Sequence, residues 1–230
     1  MPSLIEITNT PFKDRYPKDW PPYEYFVHET QITPEIVQEL KSLVEKKSSE
    51  TEIDKFITKN PVILTSVLDF NNTGHHGAWV IPKKTIRQNI SGEIPGLIPD
   101  FIVGGRNSSG TTWYVVELKG ANHSLFTTSS NKLCLSSVAN KGLCQILEYM
   151  HFCNKSQSYL REVLKLSEFV SAKGFLFIGE SSETEDERKK DLKSSLNNMN
   201  KDLQIRSYNA LFMHCDRILN SIEVMKGNHA

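Results

Sequence analysis

WYVVELKG, residues 113–120, decides the fold and raises the question of function. Its Trp, Tyr, Val, Val and Leu are the aromatic and β-branched types that fit a pleated surface, so the run predicts a strand. Side chains alternate across a strand, which puts Trp113, Val115, Glu117 and Lys119 on one face and Tyr114, Val116 and Leu118 on the other. Both faces are apolar at the N-terminal end, as in a central strand covered on both sides. Glu117 and Lys119 break that pattern. An ionised group buried without a partner is strongly unfavourable, so something must meet them. They can pair with each other, emerge into solvent as Gly120 turns the chain, or share a bound group.

The stretch just before it favours the bound group. PDFIVGG (99–105) predicts a second strand, and GGRNSSG (104–110) a flexible hairpin loop, so the two strands are expected to be antiparallel neighbours. That pairing carries Asp100 toward the far end of the strand that bears Glu117. Two carboxylates brought together repel unless a cation lies between them, and a hard divalent ion with oxygen ligands suits the geometry. Mg²⁺, with Mn²⁺ as a substitute, is the expected ion, held by Asp100, Glu117 and the backbone carbonyl of Leu118.

Working outward, residues 1–32 are rich in Pro and aromatics (DWPPYEYF) and predict an irregular arm lying on the core. Thr33-Pro34-Glu35 gives an N-cap, a first-turn proline and an early acid, followed by Ile36, Val37, Leu40, Leu43 and Val44 at helical spacing. SETEIDKFITKN (49–60) predicts a helix that buries Ile53, Phe56 and Ile57 and stops where Asn60 precedes Pro61. AWVIP, KGFLFIGE and LQIRSY predict further strands, and helices are expected through Leu143, Ile146, Leu147 and Met150, near 184–200, and through Leu211, Ile218 and Leu219. Strands alternate with helices in the second half, so the fold class is α/β, a mixed central β-sheet flanked by α-helices. The expected organisation is an arm and helix over 1–48 packed on a domain over 49–230.

The 27 basic and 27 acidic residues balance, so no whole-chain field draws the protein to nucleic acid or anionic lipid, and any such contact needs a local patch. Lys83, Lys84 and Arg87 are the candidate patch, with hydroxyl donors from the Ser/Thr-rich stretch 121–137. The segment SSETEDERKKDLK reads as a solvated helix face. No apolar run approaches membrane-spanning length and no secretory leader precedes the fold, so no membrane partner and a cytoplasmic location are expected. Four cysteines without CxxC spacing are expected to be packed, reduced thiols; Cys144 and Cys153 read as core rather than nucleophiles. His75-His76 sits in a turn-rich stretch with no zinc-type partner and reads as solvated loop.

Pro99-Asp100 followed by Glu117-Leu118-Lys119 resembles the PD-(D/E)xK nuclease motif. Gln145 and Tyr149, at i and i+4 on one helical face, resemble the Q-x-x-x-Y pattern found after the lysine strand in branches of that superfamily. In detail the chain is most similar to the Shedu family of bacterial antiphage-defence nucleases. The resemblance covers about residues 50–220 and is carried by SETEIDKFITKNPVIL, GFLFIGE with its basic helix, and IRSYNALF. It implies a restriction-endonuclease-like fold and Mg²⁺-dependent DNA hydrolysis, with Asp100, Glu117, Lys119, Glu50 and Gln145 as catalytic residues. Glu50 would be the acid of the first core helix, since it lies three and seven residues before Ile53 and Ile57 and shares their face. Tyr149 joins Lys83, Lys84 and Arg87 as a candidate DNA contact, and the resemblance implies a homo-oligomer. Where the family favours Gln, this chain has Asp54. Two alternatives stay open: an inactive nucleic-acid-binding or scaffold module of the same fold, and a structural ion-pair cluster in an enzyme of unrelated chemistry.

Overall fold

The structure, a computed structural model, describes residues 12–69, 74, 76–87, 96–184 and 186–227. Six strands form one mixed sheet: β1 (Phe26–Val27), β2 (Gly77–Pro82), β3 (Phe101–Asn107), β4 (Gly110–Leu118), β7 (Ala172–Phe177) and β8 (Leu203–Arg206), in that spatial order. β1 to β4 run antiparallel, and β4, β7 and β8 run parallel. The quoted strand therefore sits inside the sheet between β3 and β7, which explains why both of its faces are apolar.

Each face has its own core. Tyr114, Val116 and Leu118 pack toward α1 (Pro34–Glu45), α2 (Glu50–Lys59) and α7 (Asn209–Gly227). Trp113 and Val115 pack toward α4 (Ser137–Lys155), α5 (Gln157–Glu162) and α6 (Glu187–Met199). α3 (Ser66–Asp69) is a single turn following a 3₁₀ segment, Pro61–Thr65. The alternation read from the sequence holds residue by residue, so Glu117 and Lys119 face the α4 side.

The helix signals act as the chemistry requires. Thr33 accepts from the Ile36 amide, and Ser49 and Glu52 form a reciprocal capping box that fixes the start of α2 at Glu50. Asn60 ends α2 before Pro61. Tyr16, Trp20 and Phe26 of the arm cluster around Trp79 of β2, and β1 adds itself to that sheet edge.

Several expectations change. The hairpin loop is shorter than GGRNSSG, because Gly104 to Asn107 belong to β3 and the strands pair as far as Asn107 opposite Gly110. Gly104 is in the strand because the Trp113 ring lies across it: a Cβ there would come within 2.6 Å of the indole. The Ser/Thr-rich stretch holds a two-stranded hairpin of its own, β5 (Phe126–Ser129) and β6 (Lys132–Leu135), turned by Ser130 and Asn131 at φ of 47° and 61°. Leu147 is exposed rather than buried, since Ile146 and Tyr149 take the inward face of α4. Cys134 and Cys144 are exposed, whereas Cys153 and Cys215 are core thiols whose pKa burial pushes to about 12, far from the reactive range. His76 lies in an exposed turn, and His75 is outside the described residues. No described helix is long and apolar enough to cross a membrane.

Candidate active site

The end of β4 is held by backbone contacts. Lys119 N–H donates to the Phe177 carbonyl at 2.8 Å, and the buried Tyr208 hydroxyl donates to the Lys119 carbonyl at 2.7 Å. On the other side, Asp100 precedes β3, whose first residue, Phe101, pairs with Val116. The Asp100 carboxylate reaches across to Leu118, whose amide donates to Oδ2 at 2.8 Å. Leu118 points its side chain into the opposite core and offers its backbone here.

Four acids and two lysines meet at this edge. Lys119 Nζ donates to Glu117 Oε1 at 2.8 Å and stands 3.5 Å from Glu50 Oε2. Lys83 Nζ donates to Asp100 Oδ1 at 2.9 Å and pairs with Asp54 Oδ1 at 3.1 Å. Glu117, Lys119 and Asp100 are only 3%, 6% and 9% exposed, so these charges act through little solvent screening. α4 comes close because Gly142 has no side chain: a Cβ there would stand 3.3 Å from Lys119 Cε.

Among these acids and lysines Glu117 responds most strongly. Burial first, then the neighbouring Asp100 charge, push its carboxyl pKa up to about 7, although the Lys119 hydrogen bond pulls the other way. Burial alone would lower the Lys119 pKa, but its hydrogen bond to Glu117 and the surrounding acids outweigh that and raise it. Glu117 Oε2 is buried and accepts no hydrogen bond. The Gln145 side-chain oxygen is likewise buried without a hydrogen bond.

A cavity of about 370 Å³ opens over these groups, lined by Glu50, Asp100, Glu117, Lys119, Gln145 and Tyr149 together with Ile98, His123, Val138 and Lys141. The structure thus brings together Asp100, Glu117, Lys119, Glu50 and Gln145. Tyr149 is buried against the cavity wall and its hydroxyl donates to the Ile98 carbonyl at 3.3 Å. Burial first and the Glu117 charge next raise that hydroxyl's pKa above the usual phenol range. Of the three outlying cations, Lys83 is drawn into the acid cluster, and Arg87 is tied to α4 through Glu148 at 3.1 Å and the Phe152 ring. Lys84 is half-buried beside them.

Lys141 and His123 were not singled out from the sequence. Lys141 had a signal, since it lies four residues before Gln145 and extends the same helical stripe by one turn. His123 and Tyr208 had none, because loop closure and strand crossover place them.

The donors fit a hard dication. Among the described residues no three His, Cys, Asp or Glu side chains form a metal cage. Mg²⁺ needs only one or two carboxylates and fills its shell with water and phosphate oxygens. Asp100 and Glu117 are such a pair, and Glu117 Oε2 accepts no hydrogen bond.

A family model described as "Shedu protein SduA, C-terminal" matches residues 47–212. The chain belongs to the Shedu family. No curated protein sequence matches it. The Shedu match runs from just before α2 into α7, so Glu50, Asp100, Glu117, Lys119 and Gln145 all lie inside it.

Proposed function

We propose that this Shedu chain is a Mg²⁺-dependent DNA nuclease of the PD-(D/E)xK type with a restriction-endonuclease-like fold, acting in bacterial antiphage defence. The observation that carries the proposal is the buried Glu117 Oε2, which accepts no hydrogen bond, beside Asp100 and Lys119 in an open polar cavity. Asp100, Glu117 and the Leu118 carbonyl would hold Mg²⁺ or Mn²⁺. When bound, the ion supplies Lewis-acid polarisation of the phosphate and a lowered pKa for a bound water. Lys119 orients that water and stabilises charge developing on the phosphate. Glu117 first, and Glu50 at 3.5 Å second, keep the Lys119 ammonium charged. Gln145 presents its amide to the scissile phosphate, and Tyr149 walls the cavity. Lys141 and Lys84 neutralise flanking phosphates, and assembly of several copies would join these small patches into one DNA track.

Incubating the purified protein with linear and circular DNA, with and without Mg²⁺, tests the proposal. Cleavage that requires the ion and vanishes in Asp100→Ala or Lys119→Ala is expected. A folded protein that cleaves nothing and shows no Mg²⁺ or Mn²⁺ binding by calorimetry would instead indicate an inactive nucleic-acid-binding or scaffold module.

A further inference from the structure

Asp54 and Lys83 have no task in that reaction. Asp54 lies one helical turn after Glu50 on α2, and Lys83 follows directly on β2. Lys83 adopts a φ of 47°, a region that residues with a Cβ avoid, and its amide donates to the Asp100 carbonyl at 2.9 Å. The strained turn is thus pinned to Asp100 itself, and the side chain bends back so that one ammonium bridges the Asp100 and Asp54 carboxylates. Such outliers persist where the surrounding structure holds them, and they concentrate at functional sites.

Oxygen by oxygen, Asp100 Oδ2 takes the Leu118 amide, Asp100 Oδ1 takes Lys83, and Glu117 Oε1 takes Lys119. The Asp100 oxygen left for a metal is therefore already covered by a cation. An ammonium and a dication on one carboxylate oxygen repel each other, so the two compete. Lys83 is half-exposed on a flexible stem, so it can move, and Asp54 gives it a second carboxylate within reach.

We infer that Lys83 is a displaceable cation on Asp100 and that Asp54 is the anchor to which its ammonium withdraws when a divalent ion enters. Together they set the metal affinity of the site. They are positioning residues, since both act through Asp100. The inference rests on Asp100 and Glu117 being the metal pair.

Calorimetric titration of Mg²⁺ and of Ca²⁺ into the full chain, without DNA, tests it. Lys83→Met should bind the ions more tightly by about fivefold, the scale of a half-exposed ion pair. Asp54→Asn removes the retreat and should weaken binding by a similar factor. A merely structural role would weaken binding in both variants. Melting curves without metal establish that each variant is folded, and Lys83→Gln replaces Lys83→Met if the latter is not. Binding by the unaltered chain together with any other combination of signs overturns this inference alone. If the unaltered chain binds neither ion, the metal reading falls and the inference falls with it.

Discussion

The Leu118 amide donates to Asp100 Oδ2 at 2.8 Å, joining residues eighteen apart where the β3–β4 ladder ends. The contact fixes the carboxylate next to Glu117 without help from a ligand. Asparagine can accept the same hydrogen bond but cannot carry the charge. Asp100→Asn is therefore expected to keep its melting temperature and lose at least about 10²-fold in cleavage rate, the scale of removing one electrostatic group from a reacting centre. Plasmid-nicking rates beside melting curves measure both. A fully active, folded variant removes Asp100 from the chemistry.

Glu117 makes stability depend on pH. Its folded pKa, about 7, lies above the ordinary 4.5, so between those values the folded protein holds a proton that the unfolded chain has released. The stabilising contribution is full below 4.5 and disappears as pH rises through about 7. The metal-free protein should lose stability across that window by a few kcal/mol. Glu117→Gln should flatten the profile. If Glu117 holds a divalent ion as proposed, the ion must displace the same proton, so Mg²⁺ affinity should climb with pH and level off above about 7. Chemical denaturation and calorimetry at several pH values decide it; a flat profile in the unaltered protein is the opposing result.

Lys141 stands at the cavity rim on an exposed turn of α4. As a phosphate contact it should add about 0.9 to the slope of log affinity against log salt, so Lys141→Ala should lower the slope by nearly one. Its effect should be the same on any sequence. Fluorescence anisotropy over a salt series reads this directly, and an unchanged slope excludes the contact.

Gly104 tests the packing that supports β4. A methyl group there meets the fully buried Trp113 ring at 2.6 Å, and a buried indole has little room to withdraw. Gly104→Ala should cost about 1–3 kcal/mol, the range for overpacking a core. Urea denaturation is the measurement, and a cost near zero would mean that the indole shifts freely.

Much of the site was legible because its signals are local. Alternation assigned Glu117 and Lys119 to one face, and the short strand-to-strand connection brought Asp100 to them. The capping box at Ser49 and Glu52 fixed where Glu50 begins its helix. Less was legible where a residue's role depends on what lies across from it. Lys83 reads as one of three cations of a candidate DNA-contact patch, yet a left-handed turn aims it at Asp100. Leu147 fits the helical stripe but falls on its exposed side, and the 126–135 hairpin hides in a run of serines and threonines.

The sequence by itself determined a mixed sheet, its central strand, and the three residues that place opposite charges inside it. Periodicity and capping are short-range properties, so they can be read along the chain. Only the tertiary structure decided that Glu117 Oε2 is buried without a hydrogen bond, that Lys83 covers Asp100, and that Tyr208 clamps the Lys119 backbone. Those outcomes depend on which strands and helices meet at one edge, and burial there fixes how strongly each charge is felt.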